Sequence, residues 1–304
     1  MLGALLAMLL ILALSLIYLA LRLGAVIMGR LKIGSILSVG KFIKTPVVSL
    51  YNPRSNRKVV LIGMMHIGDE AYYQKVQAVI TSLQECAVLY ECVGKLSVQE
   101  RKQLTKPERK ILERFESMQK SRGLLKMILG LDDQLKGLTY DDPTWIRTDM
   151  SMLDLIRRLD RSGYRPPAPS KENKKNDLKK LLDGSDESQT FIARWFFGCI
   201  LAIIPLLVAT SSITSLFNGR SRRMTQVILH DRSTIAVEAI VDHSQHKDIV
   251  SIWGSAHLPG MIRLLRKEGF KETGREWLTV CERMTLFSLL TFLGVEKESV
   301  TSKT

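Results

Sequence analysis

Twice along the chain an apolar run ends in Gly-x-x-His and gives way to helical spacing. In VVLIGMMHIGDEAYYQKV, Val59 to Val76, the run closes at Gly63 and His66 follows. In SIWGSAHLPGMIRLL, Ser251 to Leu265, Gly254 and His257 stand in the same relation. Uninterrupted apolar runs of this length read as strands buried on both faces. Thr45–Asn52 and Arg57–Met65 form two such strands, and Asn52-Pro53 and Ser55-Asn56 supply the turn between them. Beyond the first His, Tyr72, Val76, Val79, Ile80 and Leu83 recur at helical spacing, and AVLYECV follows as another strand. Strand, helix and strand in that order predict a βαβ unit of an α/β domain. The expected fold is therefore a mostly parallel central sheet with flanking helices.

The middle of the chain is less regular. Leu96 to Leu131 is charged and amphipathic, and LTYDDPTWIRT gives a short extended piece. A helix is predicted from about Asp149, and another from about Ser221 to His246. The strand DIVSIWG, the helix LPGMIRLLRKEG and the strand FKETGREWLTVCERM close the pattern. Residues 161–190 turn polar and proline-containing, as a linker or lid does.

Two apolar stretches stand outside this alternation. Leu2 to Leu21 has no charge, and at about 1.5 Å per residue it is long enough to span a bilayer. It lacks the basic n-region and small-x-small site of a cleaved signal, so residues 1–29 are expected to form an uncleaved transmembrane anchor. Arg22, Arg30, Lys32, Lys41 and Lys44 follow it, which predicts a cytoplasm-facing body, residues 30–304. Phe191–Phe217 is also long and apolar. Were it a single span, His66 and His257 would lie on opposite sides of the membrane. Pro205 and flanking arginines at both ends favour a buried, re-entrant or surface-lying segment instead.

The net charge of +14 calls for an anionic partner. With an anchor present, an anionic membrane surface accounts for part of it. The basic run KENKKNDLKK lacks interleaved aromatics, so no nucleic-acid partner is expected. Four cysteines without Cys-x-x-Cys do not form a disulfide framework, and Cys86 and Cys92, at the ends of one strand, are too far apart to bridge.

With 20 Gly and five His, one Gly-x-x-His would arise by chance about a third of the time, so the bare pattern is weak. Its setting is stronger. Both histidines follow a strand and precede a helix, which puts them at the carboxyl edge of the sheet, where ligands bind in open α/β folds. A helix N-terminus would hold each imidazole neutral, suited to a metal ligand or base. Glu91 follows AVLY and reaches the same edge, where a charge needs a partner or water. Arg232 lies in an amphipathic helix between Asp231 and Ser233, and by itself reads as a surface ion pair. His243 and His246 with Asp242 and Asp248 read as a solvated helix end. Phosphate-loop, Rossmann, nucleophile-elbow and His-Glu-x-x-His motifs are absent.

GMMHIGDEAYY, VLYECVG, HDRSTIAVEAI and WGSAHLPGM, in that order, resemble the TraB/PrgY/TIKI family, over roughly residues 47–284. Met64 and Met65 stand where that family has Thr or a similar small residue. The resemblance implies that His66, His257 and Glu91 ring a divalent metal such as manganese, cobalt or zinc. It implies that Arg232 stabilises an anionic intermediate or binds a substrate carboxylate. The activity implied is metal-assisted hydrolysis of a peptide or protein substrate, with Glu91 either a ligand or the general base. The alternative is a non-catalytic membrane protein that binds a signalling peptide or tethers a partner, its histidines structural. A third reading is a basic peripheral protein held by anionic lipid.

Overall fold

The computed structural model describes residues 31–33, 36–39, 42–83, 85–129, 131–167, 219–243 and 248–282. The N-terminal anchor, the apolar stretch 191–217 and most of the polar stretch 161–190 lie outside them. Among the described residues no helix is long and apolar enough to cross a membrane.

Strands β1 (Leu31–Ile33), β2 (Ile36–Val39), β3 (Phe42–Asn52) and β4 (Arg57–Met64) follow one another antiparallel. The β3–β4 turn is held by Asn52, whose Oδ1 accepts from the backbone N–H of Arg54 and Ser55. A two-residue strand β5 (Ile67–Gly68) leads to helix α1 (Glu70–Ser82), then β6 (Ala87–Tyr90), α2 (Val98–Gln103) and α3 (Lys106–Leu129). Short elements β7 (Asp132–Asp133), α4 (Gln134–Gly137) and β8 (Ile146–Arg147) precede α5 (Met152–Arg161). After the gap come α6 (Gly219–Thr225), a π-turn (Gln226–Asp231) and α7 (Arg232–Asp242). Then β9 (Asp248–Gly254), α8 (Leu258–Lys267) and β10 (Lys271–Glu282) complete the described chain.

The sheet runs β1-β2-β3-β4-β9-β6-β8, with β10 on β3. It is mixed, which corrects the expectation of a mostly parallel sheet. The pairings β4–β9, β9–β6 and β6–β8 are parallel. The pairings β1–β2, β2–β3, β3–β4 and β3–β10 are antiparallel. A turn as short as Pro53–Asn56 can only join strands that reverse direction, so β3 begins an antiparallel wing. The predicted βαβ unit is also modified: β9 inserts between β4 and β6. That insertion sets the two Gly-x-x-His strands side by side, with Gly63 opposite Trp253 and Met64 opposite Gly254.

Alternation along the strands fills two faces. Val59, Leu61, Ile249 and Trp253 pack with Ala236, Ile240, Met261 and Leu265 of α7 and α8. Val60, Ile62, Val250 and Ile252 pack with Tyr72, Tyr73, Val76 and Ile80 of α1, the helical stripe read from the sequence. A third cluster joins Ile111, Ile156, Leu159 and Val227, tying α3 and α5 to the π-turn. Buried Arg57 donates to the carbonyls of Ile240 and His243, closing the C-terminus of α7, where positive charge is favoured.

The glycines of the two motifs serve close approach; neither has a positive φ. A Cβ on Gly63 would lie 2.9 Å from Ser255 Oγ, 3.0 Å from Leu258 Cδ2 and 3.1 Å from the Pro46 carbonyl. We therefore expect Gly63→Ala to destabilise the protein by about 1–3 kcal/mol through overpacking. Gly123→Ala, on α3 with nothing within 4 Å of the added Cβ, should stabilise by about 0.5–1 kcal/mol. Urea unfolding checks both; equal midpoints would mean that the strand end relaxes freely.

Candidate functional site

The carboxyl ends of β4, β9 and β6 are adjacent, and the residues that follow them make the site. Glu91 is fixed first. Its backbone N–H donates to the Ile252 carbonyl at 3.0 Å, continuing the β6–β9 ladder by one residue. Its side chain turns over the end of β9, where Oε2 accepts from the Gly254 N–H at 2.5 Å. A Cβ at Gly254 would stand 3.1 Å from that oxygen. A Cβ there would press on the carboxylate where it crosses the strand end.

Arg232 is buried, which corrects the reading of a surface ion pair. Its Nη2 donates to Glu91 Oε1 at 2.6 Å and to Asp149 Oδ2 at 2.6 Å, and its Nε donates to Asp149 Oδ1 at 3.0 Å. The guanidinium also lies 5.6 Å from the ring centroid of Trp253. Asp149 is fully buried and grips the arginine with both oxygens. It was missed in the sequence, where it served only to mark a helix start. The available signal was its position two residues beyond β8, the same placement that singled out Glu91 after β6.

His257 ends the last turn before α8 and stands at its N-cap, where the sequence put it. The side chain does not cap the helix; it is buried against Trp253, with ring centroids 5.1 Å apart. Its Nδ1 lies 3.1 Å from Ser233 Oγ. That hydroxyl donates its one proton to the Leu229 carbonyl, so it accepts from Nδ1–H. Nε2 is left with a free lone pair, 3.8 Å from Glu91 Oε1.

His66 departs from the expectation. Three residues, two of them β5, separate it from the start of α1, so it is not at a helix N-terminus, and the residue is exposed. It is held from the other side: Nδ1 lies 3.0 Å from Gln134 Oε1, and the Gln134 N–H donates to the His66 carbonyl. The Gln134 side-chain amide donates to Tyr140 Oη, so its Oε1 accepts from Nδ1–H. Both imidazoles therefore present Nε2, with Nδ1 occupied by an oxygen partner. Gln134, Tyr140 and Ser233 gave no signal in the sequence, because only the packing of α4 and α7 brings them to the histidines. Tyr90, Tyr140 and Trp145 form an aromatic cluster beside this relay, with centroids 5.3–6.1 Å apart.

The electrostatics follow from burial and pairing. Burial alone would raise the Glu91 pKa. Arg232, then His257, the Gly254 N–H and His66 outweigh it and hold the carboxyl below its ordinary range. Burial lowers the His257 pKa despite the nearby carboxylates of Glu91 and Asp149, so the imidazole stays neutral. The site thus combines an ionised carboxylate, a fixed guanidinium and a neutral imidazole.

As metal donors, two imidazoles with anchored Nδ1 and a carboxylate suit a borderline divalent ion. Among the described residues, however, no group of three or more His, Cys, Asp or Glu side chains is gathered closely enough to hold one. Among the described residues Cys86 and Cys92 form no disulfide. No protein-family model matches the chain, and no curated protein matches it.

Two outcomes follow. Asp149→Asn should cost about 3–5 kcal/mol in urea unfolding, because it weakens the pairing of a buried guanidinium; a loss below about 1 kcal/mol would mean that Glu91 alone suffices. In chelator-treated protein, stability should fall in two stages as pH drops. The folded pKa of His257 is lowered, so its contribution is complete above its unfolded value near about 6.5 and declines below it. The folded pKa of Glu91 is also lowered, so its contribution is lost further down, below about 4.3. His257→Gln should remove the first stage and leave the second.

Proposed function

We propose that this chain is a membrane-anchored, metal-dependent hydrolase of TraB/PrgY/TIKI type that acts on peptide bonds. The observation that carries the reading is the pairing of His257 with Glu91. A neutral imidazole, its Nδ1 held by Ser233, turns a free Nε2 toward a carboxylate kept ionised by Arg232. The second motif brings His66 in the same tautomer, held by Gln134. With His66 drawn in toward the other two, which the described arrangement does not yet gather closely enough, His66, His257 and Glu91 would hold a manganese, cobalt or zinc ion. When bound, such an ion lowers the pKa of a coordinated water and polarises a carbonyl.

The chain's own residues supply the remainder. Glu91 serves as ligand or proton acceptor; its depressed pKa keeps it ionised at neutral pH, which suits a ligand and weakens it as a base. Arg232 carries a positive charge that cannot be lost, fixed by Asp149, beside any oxyanion formed near Glu91. Residues 1–29 would anchor this site at a membrane, with the basic body toward anionic headgroups on the cytoplasmic face.

One observation favours a second reading, a non-catalytic peptide binder or tether. Both oxygens of Glu91 already accept hydrogen bonds, and His66 stands exposed rather than drawn in among the other donors. The two readings separate on metal content. Full-length protein, purified in detergent and supplied with divalent ions, should carry one equivalent of metal by elemental mass spectrometry. His66→Ala should lose most of it while keeping the wild-type circular dichroism spectrum, since this residue is exposed. His257→Ala should lose it as well. Metal-free wild-type protein would leave the binder as the better account.

A further inference from the structure

A cavity of about 610 Å³ opens on the α8 side of His257, outside the cluster formed by Glu91, Arg232 and Asp149. Its walls come from α6, the π-turn, Ser233 of α7, Ala256 and His257, and the first two turns of α8. Leu229, Pro259 and Leu264 give it an apolar lining. Among the described residues its ionisable groups besides His257 are Arg222, Arg263 and His230, and no Asp or Glu lines it.

Some of the surface arginines are neutralised by carboxylates. Arg101 pairs with Glu116, Arg165 with Asp160, and Arg266 and Arg275 with Glu272. Among the described residues neither Arg222 nor Arg263 is joined to a carboxylate, although Arg266 on the same helix is. The ten-residue helix α8 also starts at this cavity without any side chain capping it. The positive end of its dipole adds to the field of the arginines. Arginine is well suited to a planar anion, because its fork matches both oxygens of a carboxylate. An apolar wall beside that charge selects a ligand that joins an anionic group to a hydrophobic one.

We propose that this cavity is a recognition subsite for a carboxylate-bearing peptide segment, with Arg222 and Arg263 binding the carboxylate and Leu229, Pro259 and Leu264 receiving a neighbouring apolar side chain. The assignment of this segment to a substrate rests on the hydrolase reading above; the binding itself does not. The subsite would make the enzyme select acidic-apolar sequence at the position held against His257.

The test is fluorescence anisotropy with full-length protein in neutral detergent and excess chelator, so that metal plays no part. The probes are two labelled hexapeptides, one containing Asp-Leu and the other Asn-Leu, each amidated at its C-terminus. The Asp-Leu peptide should bind at least tenfold more tightly, and the difference should shrink in 0.5 M salt. Arg222→Gln with Arg263→Gln should abolish the preference; both side chains are exposed, so the fold should persist. Equal affinity for the two peptides, or a preference untouched by the double variant, would overturn the proposal. So would displacement of the peptide by equimolar inorganic phosphate, which would mark a free-anion site. Binding seen only on vesicles containing phosphatidylserine would assign the arginines to lipid instead. A preference found in a protein that holds no metal would support the subsite while removing the hydrolase reading.

Discussion

The buried guanidinium of Arg232 is the constraint on which the rest of the site depends. A charge taken out of water must be neutralised within hydrogen-bond reach, and here two carboxylates from different strand ends do it. Asp149 accepts from Nε and Nη2 along one edge of the arginine, while Glu91 accepts from the same Nη2 and leaves its other oxygen to the Gly254 N–H. Three segments far apart in the chain are thereby locked to the end of β9. The same bonds hold the Glu91 carboxyl below its ordinary range, against the upward push of burial. Stability and chemistry are not separate here: the contacts that hold α7 against the sheet also set the protonation state of the carboxylate.

Strand order explains why these residues meet. With β9 between β4 and β6, every residue that follows these parallel strands emerges at one edge. The antiparallel wing of β3 and β10 contributes no site residue, and it braces β4 instead. At α7 the division is along one helix face. Arg232 and Ser233 in its first turn reach the site, and Ala236, Val237 and Ile240 continue the same buried face into the core. The preceding π-turn supplies the Leu229 carbonyl that takes the Ser233 proton, so an irregular turn decides which nitrogen of His257 is free. Such turns are often found at functional positions in helices.

The α/β class, the helix α1 with its apolar stripe and the strand-end placement of Glu91 and His257 were legible, because each is written in a local period or an adjacent breaker. The sheet's mixed character was only half legible. The tight turn at Pro53–Asn56 announced an antiparallel pair, but the pairing of β10 with β3 spans more than 200 residues and leaves no local trace. Arg232 looked like a surface charge because Asp231 and His230 beside it are partly or well exposed, and helical neighbours need not share a face. Gln134 and Ser233 were illegible for a related reason. Their function is to hold one nitrogen of a ring supplied by another element, and no spacing in the sequence encodes that.

The two Gly-x-x-His motifs are alike in sequence and unlike in structure. His257 is buried beneath its helix, whereas His66 is exposed ahead of one. Gly63 leaves room for Ser255 and Leu258, which belong to the second motif, while Gly254 leaves room for Glu91. Each glycine thus accommodates a neighbour from another strand end rather than its own histidine. The repeated pattern is a packing solution for two parallel strands whose exits lie next to each other. What remains common to both histidines is the engaged Nδ1 and the open Nε2. That shared feature is difficult to attribute to packing, because one ring is enclosed and the other is in solvent. It is the feature on which the proposed joint role of the pair rests.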